Sequence, residues 1–373
     1  MSDVSTPRRS VWKQLYSGDT HFDIVGRRKV WYLVSLVLMV IIVGSMAIKG
    51  FNLGVEFAGG NQFTVHAPAG TSLEDAQKAV ENSGVEVESA QVAGTGDQAK
   101  YVLKTGPLSD ADSQKARGAM ADALKVPSSD IGVSEVSSSW GKSVSRQALV
   151  ALAVFLVLVA AYLWLRFEPK MAIAALVALV HDVALTAGVF SLVGFEVTPG
   201  TVVGLLTILG YSLYDTVVVF DRVQENTKGL LNETRFSYPE AANKALNETL
   251  MRSINTSLIG LLPVAGLLFV GVGILGVGTL KDLALVLFVG MLTGTYSSIF
   301  LATPVLVDLK MREPRVRDHA KKVVEKRRVA GEKAAAEAAA TDDETEEDAI
   351  PVASVAPRPG ARPDTRKRKA RKL

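Results

Sequence analysis

Residues 201–220 read TVVGLLTILGYSLYDTVVVF, a run apolar enough to cross a bilayer that nevertheless carries Asp215. An ionisable side chain exposed to hydrocarbon is costly, so such a residue belongs on a helix interface or a water-filled path. Two other places share this character. His181 and Asp182 fall near the middle of the apolar run 171–193, and Arg252, Asn255 and Thr256 lie where the run beginning ETLMRSINTSLIGLLPV turns apolar. At steps of three and four, Gly204, Thr207, Tyr211 and Asp215 form one helical stripe, and Arg252, Asn255, Thr256 and Gly260 form another. The chemistry these residues offer is proton binding. Burial and a neighbouring guanidinium act in opposite directions on a carboxyl group, so a carboxylate balanced between them can both take up and release a proton. A proton crossing about 100 mV releases roughly 2.3 kcal/mol, enough to bias a conformational change. Structural roles stay open beside this one: Asp215 as a protonated helix-packing group, Arg252 snorkelling to the inner headgroups, and His181 with Asp182 as a packing hydrogen bond or a proton relay.

Positioning these groups requires membrane helices. The chain has 373 residues, 48% hydrophobic and 21% charged, with a net charge of +3. Six runs are long and apolar enough to span: 31–48, 149–165, 171–193, 201–220, 253–272, which is interrupted by glycines and Pro263, and 283–307. The first follows Arg27, Arg28 and Lys29 but is longer than a signal-peptide core and lacks a clean cleavage site, which makes it an uncleaved anchor. Basic residues gather in the N-terminal segment, in RFEPK at 166–170 and after the fourth span at Arg222, Lys228, Arg235 and Lys244. The loop 194–199 has none and the last outer turn only Lys281. This asymmetry places both termini in the cytoplasm of a multi-pass plasma-membrane protein. The absence of cysteine excludes disulfides and thiolate metal sites.

The expected organisation is a cytoplasmic segment 1–29, a first span 30–49, an extracytoplasmic α+β domain 50–143, a bundle of five spans 144–310 and a disordered charged tail 311–373. In the outer domain VEFAGGNQFTVHA (55–67) reads as a strand and SLEDAQKAVENSG (72–84) as a helix capped by Ser72. VEVESAQVA and QAKYVLKT pair around the turn GTGD, SDADSQKARGAMADALK is a second helix, and DIGVSEVSS a last strand. The order β-α-β-β-α-β fits a ferredoxin-like unit. No nucleophile, metal-ligand cluster or phosphate loop stands out, so neither an enzyme nor a cofactor is expected. The tail passes through an Ala/Glu-rich stretch and DDETEED to TRKRKARKL, a basic end drawn to phosphate on anionic lipid or RNA, or simply solvated. No specific nucleic-acid partner is expected.

The segment GYSLYDTVVVFDRVQEN (210–226) resembles the signature of the SecD/SecF family within the resistance-nodulation-division superfamily. LGVEFAGG (53–60), with Gly54, Gly59 and Gly60, resembles its glycine-rich motif; HDV at 181–183 and MRSINTSL at 251–258 follow in the family's order. The resemblance covers roughly residues 25–310. It implies a six-span bundle paired with a SecD-like subunit beside the Sec translocation channel (SecYEG), using the proton gradient to promote export of preproteins, with Asp215 and Arg252 at the proton site. Two positions depart from the family's usual residues: Tyr214 stands in place of Asn and Glu56 in place of Asp. Half of a proton-driven drug or lipid exporter, and a non-transporting membrane scaffold or chaperone, are the competing readings; the small outer domain favours the secretion reading over an exporter.

Overall fold

A computed structural model describes residues 22–68, 70–94, 96, 99–274 and 280–347. The chain divides into two units, Met1–Ala320 and Lys321–Leu373. Among the described residues six helices are long and apolar enough to cross a membrane. The first is α1 (Arg28–Lys49). After the outer domain follow α5 (Ser138–Arg166), α6 (Pro169–Val193) and α7 (Pro199–Thr227). The fifth span is α8 (Tyr238–Ala265), extended by a π-helical stretch Gly266–Val272. The sixth is α9 (Lys281–Ser297), continued through a π turn Ser298–Ala302 into α10 (Thr303–Met311).

Local chemistry sets the helix ends. Proline occupies the first turn of α6, α7 and α8, where its missing N–H would have no partner anyway. Ser237 N donates to Glu240 Oε2 at 2.8 Å at the start of α8. In the sixth span Pro304 cannot donate to the carbonyl four residues back and its ring crowds that carbonyl, which is where the helix widens into the π turn carrying Ser298.

The bundle is held closely by small residues. A Cβ added to Gly204, Gly290 or Gly294 would lie 2.3 Å from Val286, 2.3 Å from Ile208 and 2.9 Å from Ser212, so α7 and α9 approach along a row of glycines. Gly188 does the same for α6 against Ile42 of α1. A belt of ion pairs rings the end of the bundle where α1 begins and α5 and α7 finish, Arg28–Asp308 at 2.9 Å, Arg166–Asp221 at 2.7 Å and Arg222–Glu248 at 2.7 Å. Ahead of α1, the backbone N–H groups of Phe22, Ile24 and Val25 donate to the Asn247 and Asn243 side chains of α8.

The outer domain begins with a two-residue strand β1 (Asn52–Leu53) and a helical turn α2 (Val55–Ala58). It continues through β2 (Gly60–His66), α3 (Leu73–Asn82), β3 (Val87–Ala93), β4 (Lys100–Thr105), α4 (Asp110–Leu124) and β5 (Gly132–Val136). The sheet order is β3-β4-β2-β5, all antiparallel, with Phe63 of β2 opposite Leu103 of β4 and Val133 of β5. Phe63, Val65, Leu103, Val80, Met120 and Leu124 close the core between sheet and helices. β1 pairs in parallel with β6 (Glu196–Val197) in the loop between α6 and α7, tying the domain's base to the bundle.

Two expectations are corrected. VEFAGGNQFTVHA is not one strand: Val55–Ala58 forms a helical turn, and the strand starts at Gly60, because Gly59 with φ 82° and Gly60 with φ 151° turn the chain between them. The tail is not disordered from 311, since Pro314–Glu347 is a single helix, α11. Its Ala, Glu, Lys and Arg are strong helix formers, and pairs such as Arg328–Glu332 at 2.6 Å support it without an apolar stripe. The turn GTGD lies partly, and the basic end TRKRKARKL wholly, outside the described residues, as do Arg8, Arg9 and Lys13.

Candidate functional site

The buried polar groups of the bundle gather where α6, α7, α8 and the α9–α10 junction meet. Asp215 is 5% exposed. Ser253 of α8 donates to its Oδ1 at 2.6 Å and Ser298, from the π turn of the sixth span, to its Oδ2 at 2.5 Å. One turn away on α7, Ser212 donates to Asp182 Oδ2 at 2.5 Å. Asp182 is 1% exposed, and its Oδ1 stands 3.6 Å from Nδ1 of the adjacent, buried His181. One turn further along α6, Thr186 shares a hydrogen bond of 3.2 Å with Thr293 of α9. Two carboxylates are thus held in one seam by hydroxyls from neighbouring helices.

Sequence spacing assigned Asp215, His181 and Asp182 to the interior, and they are there. It placed the faces of their helices less well. The buried side of α7 runs Gly204, Ile208, Ser212, Asp215, Val219, while Thr207 is exposed and returns its hydroxyl to Val203 O. Tyr211 sits at the edge, donating to the Thr256 backbone carbonyl at 2.6 Å across the close approach made by Gly260. On α8 the buried side is Leu246, Thr249, Leu250 and Ser253, whereas Arg252 and Asn255 are exposed. Arg252 does not reach inward to Asp215; its Nη2 donates to Tyr214 Oη at 3.2 Å on the outer surface of α7 and α8. Ser212, Ser253 and Ser298 were missed. Ser212 carried a signal, being three residues before Asp215, and Ser298 another, lying just ahead of Pro304 in an apolar run.

The motif glycines form a separate place at the base of the outer domain. A Cβ on Gly60 would lie 2.2 Å from Thr105 O, and one on Gly54 2.5 Å from Glu56 Oε2 and 2.8 Å from Glu196 Oε1. Gly54 N donates to Val197 O at 2.9 Å. Beside them Lys104, 7% exposed at its side chain, pairs with Glu196 at 2.6 Å, and Glu56 lies 4.0 Å away. The glycines let outer domain, loop and bundle meet backbone to backbone around one buried ammonium.

The pattern of the protein export membrane protein SecD/SecF C-terminal region matches residues 118–312, and that of the SecD/SecF GG motif matches residues 44–67. The chain belongs to the SecD/SecF family. Among family members, the protein translocase subunit SecF of Mycobacterium tuberculosis H37Rv is 47% identical over 344 residues, covering 89% of this chain and 77% of that one. The SecF subunit of Streptomyces coelicolor is 43% identical, covering 92% and 93%. The crystal structure of SecDF from Thermus, described as a translocon-associated membrane protein, aligns with a TM-score of 0.67 at 34% identity. It covers 79% of this chain and 39% of that one, so the SecD/SecF member described here spans about two fifths of the fused protein.

Proposed function

We propose that this chain is an accessory subunit of the Sec protein translocase that draws on the proton gradient through Asp215. The observation that carries the reading is a carboxylate buried at the junction of helices from the third to sixth spans, with both oxygens accepting hydroxyl hydrogen bonds from different helices. Ionised, it draws Ser253 and Ser298 towards itself; protonated, it needs one of them less. Proton uptake therefore alters how α8 and the sixth span sit against α7, and this is the coupling step. The outer domain, read as ferredoxin-like from its β-α-β-β-α-β order and antiparallel sheet, takes up that movement through β1–β6 and the Lys104 cluster.

Its partners are a SecD-like subunit, the SecYEG channel and exported preproteins, in the bacterial plasma membrane with both termini cytoplasmic. Support for the first comes from the fused SecDF of Thermus thermophilus, of which this chain matches 39%. The test is gradient-dependent preprotein export by the assembled translocase. Asp215→Asn, which keeps the shape and one accepting oxygen but cannot ionise, abolishes the gradient-dependent part and leaves insertion intact. Wild-type behaviour of this variant would refute the proton site.

A further inference from the structure

Building on the reading of Asp215 as the proton site, we propose that Asp182 is a second proton-binding carboxylate, placed on the extracytoplasmic side of Asp215, and that Ser212 passes its proton inward.

The order along the membrane follows from chain direction. α7 enters from the outer loop at Thr198 and leaves at the cytoplasmic ion-pair belt with Asp221, so Ser212 lies one turn, about 4.5 Å, outward of Asp215. Asp182 is hydrogen-bonded at the level of Ser212. A proton moving inward meets Asp182 first.

Three observations separate Asp182 from a group that merely packs. Its Oδ1 is buried without a hydrogen bond of normal length, facing His181 Nδ1 at 3.6 Å, and His181 Nε2 is likewise without one among the described residues. A buried polar atom left so is costly, and a carboxyl group meets that cost by holding a proton. The approach of α9 to Ser212 is kept open by Gly294, whose hypothetical Cβ would crowd the serine at 2.9 Å. Ser212, finally, is bonded to Asp182 and lies one turn from Asp215 on the same buried face of α7. Of the titratable groups nearby, His181 faces Asp182 from its own helix, Tyr296 on α9 lies against His181 with ring centroids 6.2 Å apart, and Asp215 is one turn along α7 from Ser212. Arg252 bonds Tyr214 instead.

The step conserves atoms. Protonated Asp182 donates to Ser212 Oγ once that hydroxyl has turned towards Asp215. The Asp182 O–H bond then breaks as a new O–H bond forms on Ser212, while the original Ser212 O–H bond breaks and one forms on Asp215. One proton moves; the serine ends as it began.

Labelling by a hydrophobic carbodiimide, which modifies protonated carboxyls in apolar surroundings, tests this in the assembled translocase, with the modified residues located by mass spectrometry. Asp182 and Asp215 should both be labelled, and Asp215→Asn should leave Asp182 labelling in place. Asp182→Asn, which still accepts from Ser212, should remove gradient-dependent export at least tenfold while the subunit assembles normally. Ser212→Ala, which retains the Cβ beside Gly294, should slow gradient-dependent export several-fold with both aspartates still labelled. Full export by Asp182→Asn, or absence of label at Asp182 while Asp215 is modified, overturns the relay and leaves the Asp215 reading standing. If Asp215→Asn itself exports like wild type, the failure lies with the proton site and not with the relay.

Discussion

At Asp215 the two serine donors make different demands on the protein. Ser253 sits in a regular helix, but Ser298 reaches the carboxylate from a π turn that Pro304 imposes. A hydrogen bond to a charged group contributes about 1.5–3 kcal/mol, so Ser253→Ala or Ser298→Ala should each weaken gradient-dependent export without abolishing it. Combining them should cost more than the sum of the two, because the second removal leaves a buried carboxylate without a donor. An export assay on the double variant checks this; additive small losses would mean the serines only pack. The motif glycines invite a sharper expectation. Gly60→Ala places a Cβ 2.2 Å from the Thr105 carbonyl oxygen at φ 151°, so β2 must part from β4 at its first pair. The outer domain should lose upwards of about 1–3 kcal/mol, read as earlier proteolysis within residues 50–143.

Among the elements, α3 shows how a helix start can be read and tested. Ser72 Oγ accepts from Asp75 N at 3.1 Å, and Asp75 Oδ2 accepts from Ser72 N at 3.1 Å, a reciprocal box that the spacing in SLEDAQKAVENSG announces. Ser72→Ala should destabilise the helix by about 1 kcal/mol, visible as faster amide exchange in its first turn. The hydrogen bonds from Ser72 hold the Asp75 carboxyl below its ordinary range. Its folded value is therefore the lower one, so the cap's contribution is complete above the unfolded value near about 3.9 and fades as pH falls through the folded value. The difference between wild type and Ser72→Ala should shrink below that window. Spans and caps were legible because length, proline and reciprocal polar residues are local signals. The face of α8 was not: in a bilayer the lipid side is as apolar as the protein side, so period alone could not choose Ser253 over Arg252 as the inward residue. The strand beginning was missed because two glycines in succession reset the backbone, and α11 because helix propensity without an apolar stripe resembles a solvated tail.

For the whole molecule, orientation is the first expectation. The chain has no native cysteine, so Gln114→Cys in the outer domain and Asn232→Cys after α7 each give a single thiol on an exposed residue. An impermeant maleimide added to intact cells should label the first and spare the second until the membrane is opened. Labelling of both from outside would reverse the topology.

The surface of α7 and α8 carries the second expectation. Arg252 follows Asp215's partner Ser253 by one residue in reverse, so it lies at the same depth, about 9 Å from the Asp221 boundary. Its hydrogen bond to Tyr214 occupies one of five N–H donors, and Tyr214 itself is 51% exposed. A guanidinium turned to hydrocarbon at that depth is costly, so the expectation is that a second bundle of the same class covers it. Tyr214, the family's usual Asn position, then marks the contact. A photo-reactive residue at Tyr214 should capture a second polytopic subunit in the native membrane, whereas one at Val157, 67% exposed on α5, should capture lipid. Arg252→Met should lower recovery of that subunit in co-purification, and Arg252→Lys should lower it less, since the charge is kept while the planar fork is lost. Capture of lipid alone at both positions, with co-purification unchanged in Arg252→Met, would return Arg252 to the bilayer and leave this bundle without a partner on that face.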